Sequence, residues 1–102
     1  MVLACRLGAI GEAELPCYKA LCIRLQEAIK DRRELSDGYI FRLNSDLMSL
    51  VDAAQWISLE RLCCPFLKFQ LQAIGSDRDY WLTLQGPPGA KTIVREAFHP
   101  TR

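Results

Sequence analysis

Two adjacent cysteines are the residues of this chain best suited to chemistry. Cys63 and Cys64 directly precede Pro65, and Glu60 lies one helical turn before Cys64. Thiolate sulfur is a soft ligand that suits thiophilic ions such as zinc, copper(I) and mercury(II). A glutamate at this spacing could supply an oxygen ligand or accept a proton. The pattern therefore predicts a site for a soft metal or metalloid ion, formed by Cys63, Cys64 and Glu60.

The position of these cysteines in their helix bears on which chemistry they support. A proline disfavours helical geometry in the residue before it, so Cys63 and Cys64 are expected at the C-terminal end of a helix. Unpaired carbonyl groups at that end favour cations and disfavour a thiolate, whereas reactive cysteines typically lie at helix N-termini. Metal binding is therefore favoured over nucleophilic or redox catalysis, and no catalytic residue is assigned.

Further donors would be needed, because a closed zinc site takes four ligands. The other soft or nitrogen donors are Cys5, Cys17, Cys22 and His99, and none forms a C-x-x-C motif. The sequence leaves open which of these cysteines joins the pair. Cys5 and Cys22 lie on apolar faces, where a buried structural thiol is the favoured interpretation. The odd number of cysteines and their irregular spacing favour free thiols in a reducing cytoplasm.

The alternative interpretation is that the adjacent cysteines are structural as well. Cysteine packs as a small hydrophobic residue and is among the most often buried residue types. The chain would then be a non-catalytic interaction module, such as a homodimer. An apolar strip of Phe66, Ile74, Trp81 and Thr83 on the outer face of the sheet would serve as its contact surface.

A glycine-rich segment, residues 86–92, superficially resembles a phosphate-binding loop. Only two residues separate Gly86 from Gly89, and Ala90 precedes Lys91. A phosphate-binding loop has four residues between its glycines and a glycine directly before the lysine. The segment is therefore predicted to be a turn between a strand and a helix.

Composition limits the classes of protein to be considered. The 102 residues predict a single domain over 1–102, and half of them are hydrophobic. The formal net charge of +1 argues against binding to nucleic acid or to an anionic membrane surface. No apolar run approaches the roughly 20 residues that a membrane-spanning helix needs.

Hydrophobic periodicity and turn signals predict the order β-α-β-α-β-β-α. The expected elements are a strand over 2–7, a helix over 12–34, a strand over 39–43, a helix over 47–63 capped by Asn44 or Ser45, strands over 66–74 and 80–85, and a helix over 90–98. Two right-handed crossovers would make the first strands parallel, and the last two strands would form a hairpin. The prediction is an α+β two-layer sandwich with a four-stranded mixed sheet and helices mainly on one face.

The segment from Glu60 to Phe69 reads E-R-L-C-C-P-F-L-K-F, and W-L-T-L-Q-G-P-P-G-A-K begins at Trp81. On these motifs the chain resembles an uncharacterised family of small bacterial proteins with the signatures E-R-x-C-C-P-F-x-x-F and W-L-x-L-x-G-P-x-G-x-K. The resemblance covers most of the second half and little of the first helix. The adjacent cysteines are also similar to those of several mercury-handling proteins, which implies an association with heavy metals.

Overall fold

The computed structural model describes residues 5–100, which form an α+β fold. A 3-10 turn at Leu7–Ala9 precedes three α-helices and four strands. In chain order they are α1 (Leu15–Ala28), β1 (Ile29–Leu35), β2 (Gly38–Asn44), α2 (Leu50–Cys63), β3 (Lys68–Ala73), β4 (Asp79–Gln85) and α3 (Ala90–Ala97). Within the described residues, every helix is too short or too polar to cross a membrane.

The four strands form one antiparallel sheet in the order β1-β2-β4-β3. Two hairpins, β1–β2 and β3–β4, pair through their second strands and are joined in sequence by α2. The α+β class is confirmed, but the predicted mixed sheet is wrong, because every pair of hydrogen-bonded strands is antiparallel. Strands β2 and β3, which α2 connects, run in the same direction as predicted, but β4 lies between them and pairs with both.

The predicted helix over 12–34 is correct only as far as Ala28, where the chain becomes strand β1. Residues 30–34 are all charged and therefore offer no apolar face to pack as a helix. An edge strand tolerates such charges, and β1 lies at the edge of the sheet. Leu35 is opposite Gly38 across a two-residue turn, which closes the first hairpin.

The predicted first strand over 2–7 is not formed by the residues that can be described. Residues 2–4 lie outside the described part of the chain, and Cys5 and Arg6 belong to no strand. The Arg6 backbone amide instead donates a hydrogen bond of 2.8 Å to the carbonyl oxygen of Cys63. This segment therefore contacts the end of α2 and does not extend the sheet.

The remaining element predictions are confirmed with small changes in their bounds. Helix α2 begins later than expected, because its N-cap is Ser49, whose hydroxyl accepts from the Asp52 amide at 3.1 Å. Asn44, one of the predicted caps, accepts from the Asp46 amide in the preceding turn. Helix α2 ends at Cys63 as predicted. Gly89 caps α3 with φ of 97°, so residues 86–89 are a strand-to-helix turn.

The core lies between the helices and one face of the sheet. Alternate residues of the two central strands are buried on that face, namely Tyr39, Phe41, Leu43, Tyr80, Leu82 and Leu84. Trp56 of α2 is fully buried and packs edge-on against Phe69 and Phe98. Of the predicted outer strip, Ile74, Trp81 and Thr83 line a shallow groove, whereas Phe66 packs against the core.

The close pairing of β2 with β4 predicts that Gly38→Ala is destabilising. A Cβ atom at Gly38 would lie 1.9 Å from the Leu84 carbonyl oxygen and 2.8 Å from the Gln85 Cα. These are backbone atoms that cannot move without opening the sheet, so we expect a loss of about 1–3 kcal/mol in the free energy of unfolding. Urea denaturation measures this loss. Gly8→Ala is the matched control, because a Cβ there meets nothing within 4 Å; equal effects of the two substitutions would contradict the argument.

Candidate metal centre

Three cysteines and one glutamate meet at the C-terminal end of α2. Cys63 is the last residue of the helix, Cys64 is its C-cap, and Glu60 lies one turn earlier. Cys5 reaches the same place from the N-terminal segment. The carboxylate oxygen and the three sulfurs all lie within 4.8 Å of one another. The structure thus brings together the three predicted residues and adds Cys5, which had been assigned to an apolar strand face.

Cys5 and Cys64 are joined by a disulfide that links residues 59 positions apart, with a Cα–Cα distance of 4.7 Å. The expectation that all the thiols are free is therefore wrong for this pair. Cys63 remains a free, fully buried thiol, and its Sγ lies 3.8 Å from the Sγ of Cys64. The two adjacent cysteines consequently have different states although both belong to one site.

Glu60 is buried with only 3% of its surface exposed. The Tyr18 hydroxyl of α1 donates a hydrogen bond of 2.9 Å to its Oε1, and the same oxygen lies 3.5 Å from the Sγ of Cys64. Burial raises the pKa of Glu60 above its ordinary value, although the Tyr18 hydroxyl and the Cys63 thiol oppose this shift. Among residues 5–100, no cationic side chain forms an ion pair with this carboxylate.

The Cys63 thiol is held in its neutral form. Burial raises its pKa, and the neighbouring Glu60 carboxylate raises it further, while the Tyr18 hydroxyl and the Arg6 amide lower it. The sequence argument predicted a disfavoured thiolate from the helix end alone. The raised pKa of Cys63 has the same direction, and its largest cause is burial. The Cys63 carbonyl oxygen contributes to the negative end of the helix, and it accepts a hydrogen bond from the Arg6 amide.

The other candidate donors lie outside the group formed by Cys5, Glu60, Cys63 and Cys64. Cys17 is exposed on α1, where the Gln55 side-chain amide donates to its sulfur at 3.4 Å. His99 is exposed, and its backbone exchanges hydrogen bonds with the Gln26 side chain. Cys22 is half-buried near Tyr18, in the wall of a cleft of 540 Å³ that also includes Phe98. Burial raises the pKa of Cys22.

Two residues of the site were not predicted from the sequence. Cys5 has no neighbour in the sequence that distinguishes it from a core cysteine. Tyr18 lies on α1 within the predicted helix over 12–34 and is buried. A buried tyrosine hydroxyl usually has a hydrogen-bond partner, so its burial alone indicated a polar group opposite α1. Glu60 is that group.

With the disulfide reduced, the site would offer three thiols and one carboxyl group. A zinc–thiolate bond of about 2.3 Å in tetrahedral geometry places two sulfurs about 3.8 Å apart. The sulfurs of Cys63 and Cys64 already have a separation of 3.8 Å. The spacing of this pair in the oxidised protein thus matches what one tetrahedral soft ion requires of two sulfurs.

No family model, curated protein or solved structure matches the chain.

The burial of Glu60 predicts how stability depends on pH. Because its folded pKa lies above the ordinary value of 4.5, the native state binds more protons than the unfolded state above that pH. Ionisation of Glu60 therefore lowers the free energy of unfolding as the pH rises through the folded pKa. Glu60→Gln removes this loss, so the variant should gain stability relative to the parent as the pH rises above the ordinary value of 4.5.

Urea denaturation at several pH values tests this expectation. The measured quantity is the difference in unfolding free energy between Glu60→Gln and the parent, so that other titrating groups cancel. The exposed Glu96 of α3 provides the control substitution Glu96→Gln. A difference that stays constant over the whole pH range would show that Glu60 does not titrate as the structure implies.

Proposed function

We propose that the protein binds a thiophilic metal or metalloid ion through Cys63 and Cys64 when the Cys5–Cys64 disulfide is reduced. The observation that carries this proposal is the convergence of three sulfurs and the Glu60 carboxylate within 4.8 Å. Cys5 would add a third sulfur, and Glu60 an oxygen donor or a proton acceptor. Soft sulfur ligands favour ions such as zinc, copper(I) and mercury(II) over magnesium or calcium.

Reduction of the disulfide is part of the proposal, because the thiolate is the form of cysteine that binds metals. An external dithiol would transfer two electrons and two protons to the disulfide. Cys5 and Cys64 would become thiols, and the dithiol would become a disulfide. Reductants of this class keep thiols reduced in the cytoplasm, which is where we propose that the protein acts.

The framework around the cysteines supports binding without a large rearrangement. The hydrogen bond from the Arg6 amide to the Cys63 carbonyl is a second link between the two segments and would hold Cys5 near the site after reduction. The hydrogen bond from Tyr18 fixes Glu60 from the opposite side. Such contacts around the ligands orient them and strengthen metal binding.

Native mass spectrometry of the full chain tests this function. The reduced protein, freed of reductant under argon, is titrated with Zn(II), Cu(I) or Hg(II). We expect one ion per chain for at least one of these metals. The Cys63→Ser, Cys64→Ser double variant should lose the adduct. The control Cys17→Ser should keep it, because Cys17 lies outside the group.

The oxidised protein provides the second comparison. With Cys5 and Cys64 bonded to each other, only the Cys63 thiol remains in the group, so the affinity should fall at least tenfold. Equal binding by the double variant and the parent would contradict the proposal. The cysteines would then be structural, and the interaction module or homodimer would become the better interpretation.

A further inference from the structure

We propose that the ligand is a trivalent metalloid oxyacid, arsenous acid or its antimony equivalent, bound by the sulfurs of Cys5, Cys63 and Cys64 together. This inference rests on the proposed function and names the class of ion that its site would take. It follows from the number of sulfur donors in the group and from the charge that the surrounding core can tolerate.

The number of soft donors favours three-coordinate binding. Within residues 5–100 the group contains three sulfurs, and Cys17, Cys22 and His99 do not belong to it. The fourth member, Glu60, is a hard donor whose Oε1 accepts a hydrogen bond from Tyr18. A closed zinc site takes four ligands, typically sulfur or nitrogen. A trivalent arsenic or antimony centre forms three bonds and is complete with three sulfurs.

The charge of the product favours the same class of ion. Three thiolates around a divalent metal leave a net charge of −1, and an ionised Glu60 would add to it. Cys63, Cys64 and Glu60 are buried, and no cation among residues 5–100 pairs with Glu60. Burying unpaired charge is costly. Three thiolates on a trivalent centre give a neutral product.

The binding step balances without any redox change at the metalloid. Arsenous acid is an uncharged molecule with three hydroxyl groups on arsenic. Each thiol replaces one hydroxyl, so that an As–O and an S–H bond break while an As–S and an O–H bond form. One chain and one arsenous acid give a trithiolate and three water molecules. Arsenic remains in the +3 state, and the only reductant needed is the dithiol that first opens the disulfide.

The mass of the adduct tests this inference on the unaltered sequence. The reduced full chain is mixed with sodium arsenite and examined by native mass spectrometry. Attachment through three sulfurs replaces three protons by one arsenic, whereas attachment through two leaves a hydroxyl on the metalloid. We expect the first mass, together with a fall in titratable thiols from five to two in the unfolded, acid-quenched adduct.

The Cys5→Ser variant tests whether the metalloid is bound by three sulfurs or by two. This variant should form only the hydroxyl-bearing adduct and bind arsenite at least tenfold more weakly, whereas Cys17→Ser should match the parent. Zn(II), Cu(I) and Hg(II) are titrated in parallel on the parent protein. An adduct that retains a hydroxyl in the parent would overturn the inference even if Cys5→Ser failed to fold.

The remaining outcomes distinguish this inference from the proposed function. Stoichiometric binding of one of the three metals without arsenite binding would overturn the trivalent ligand and leave the metal site intact. Absence of binding by every one of these ions in the reduced protein would overturn both.

Discussion

The contact between the N-terminal segment and the end of α2 is the interaction on which the candidate site depends. It consists of the Arg6–Cys63 backbone hydrogen bond and the Cys5–Cys64 disulfide. The contact places a third sulfur beside the adjacent cysteines and helps to bury the end of the helix. Without it, the helix end would present two cysteines and unpaired carbonyl groups, which is the arrangement that the sequence predicts.

Burial is the main cause of the raised pKa values at this site. Glu60 is enclosed with a tyrosine and the sulfurs as its neighbours, and burial raises the pKa values of both Glu60 and Cys63. These shifts disfavour the charged forms of both groups, including the thiolate that nucleophilic catalysis needs. They are compatible with a ligand that displaces protons and leaves a product of low charge. At Cys63 burial thus acts in the same direction as the helix end from which the sequence argument started.

The predictions from sequence succeeded where short-range rules apply. The final hairpin, the helix end at Cys63 and the turn before α3 each follow from local signals such as proline, glycine and alternating apolar residues. The predicted helix over 12–34 failed because charged residues 30–34 are as compatible with an edge strand as with a solvated helix. Pairing with β2 decides between them. The first predicted crossover failed because it assumed a strand that did not form in the described residues, and the second because β4 inserts between β2 and β3.

By itself, the sequence determined the local composition of the site: two adjacent cysteines before a proline, with a glutamate one helical turn earlier. It also determined the α+β class, because the apolar spacing distinguishes most helices from strands. Only the tertiary structure decided that Cys5 joins the pair, that Tyr18 holds Glu60, and that Cys17 and Cys22 lie outside. Hydrophobic periodicity predicts which face of a helix or strand is buried, but it does not predict which distant residue packs against that face. That choice depends on how separate segments pack together, and here it joins residues 59 positions apart.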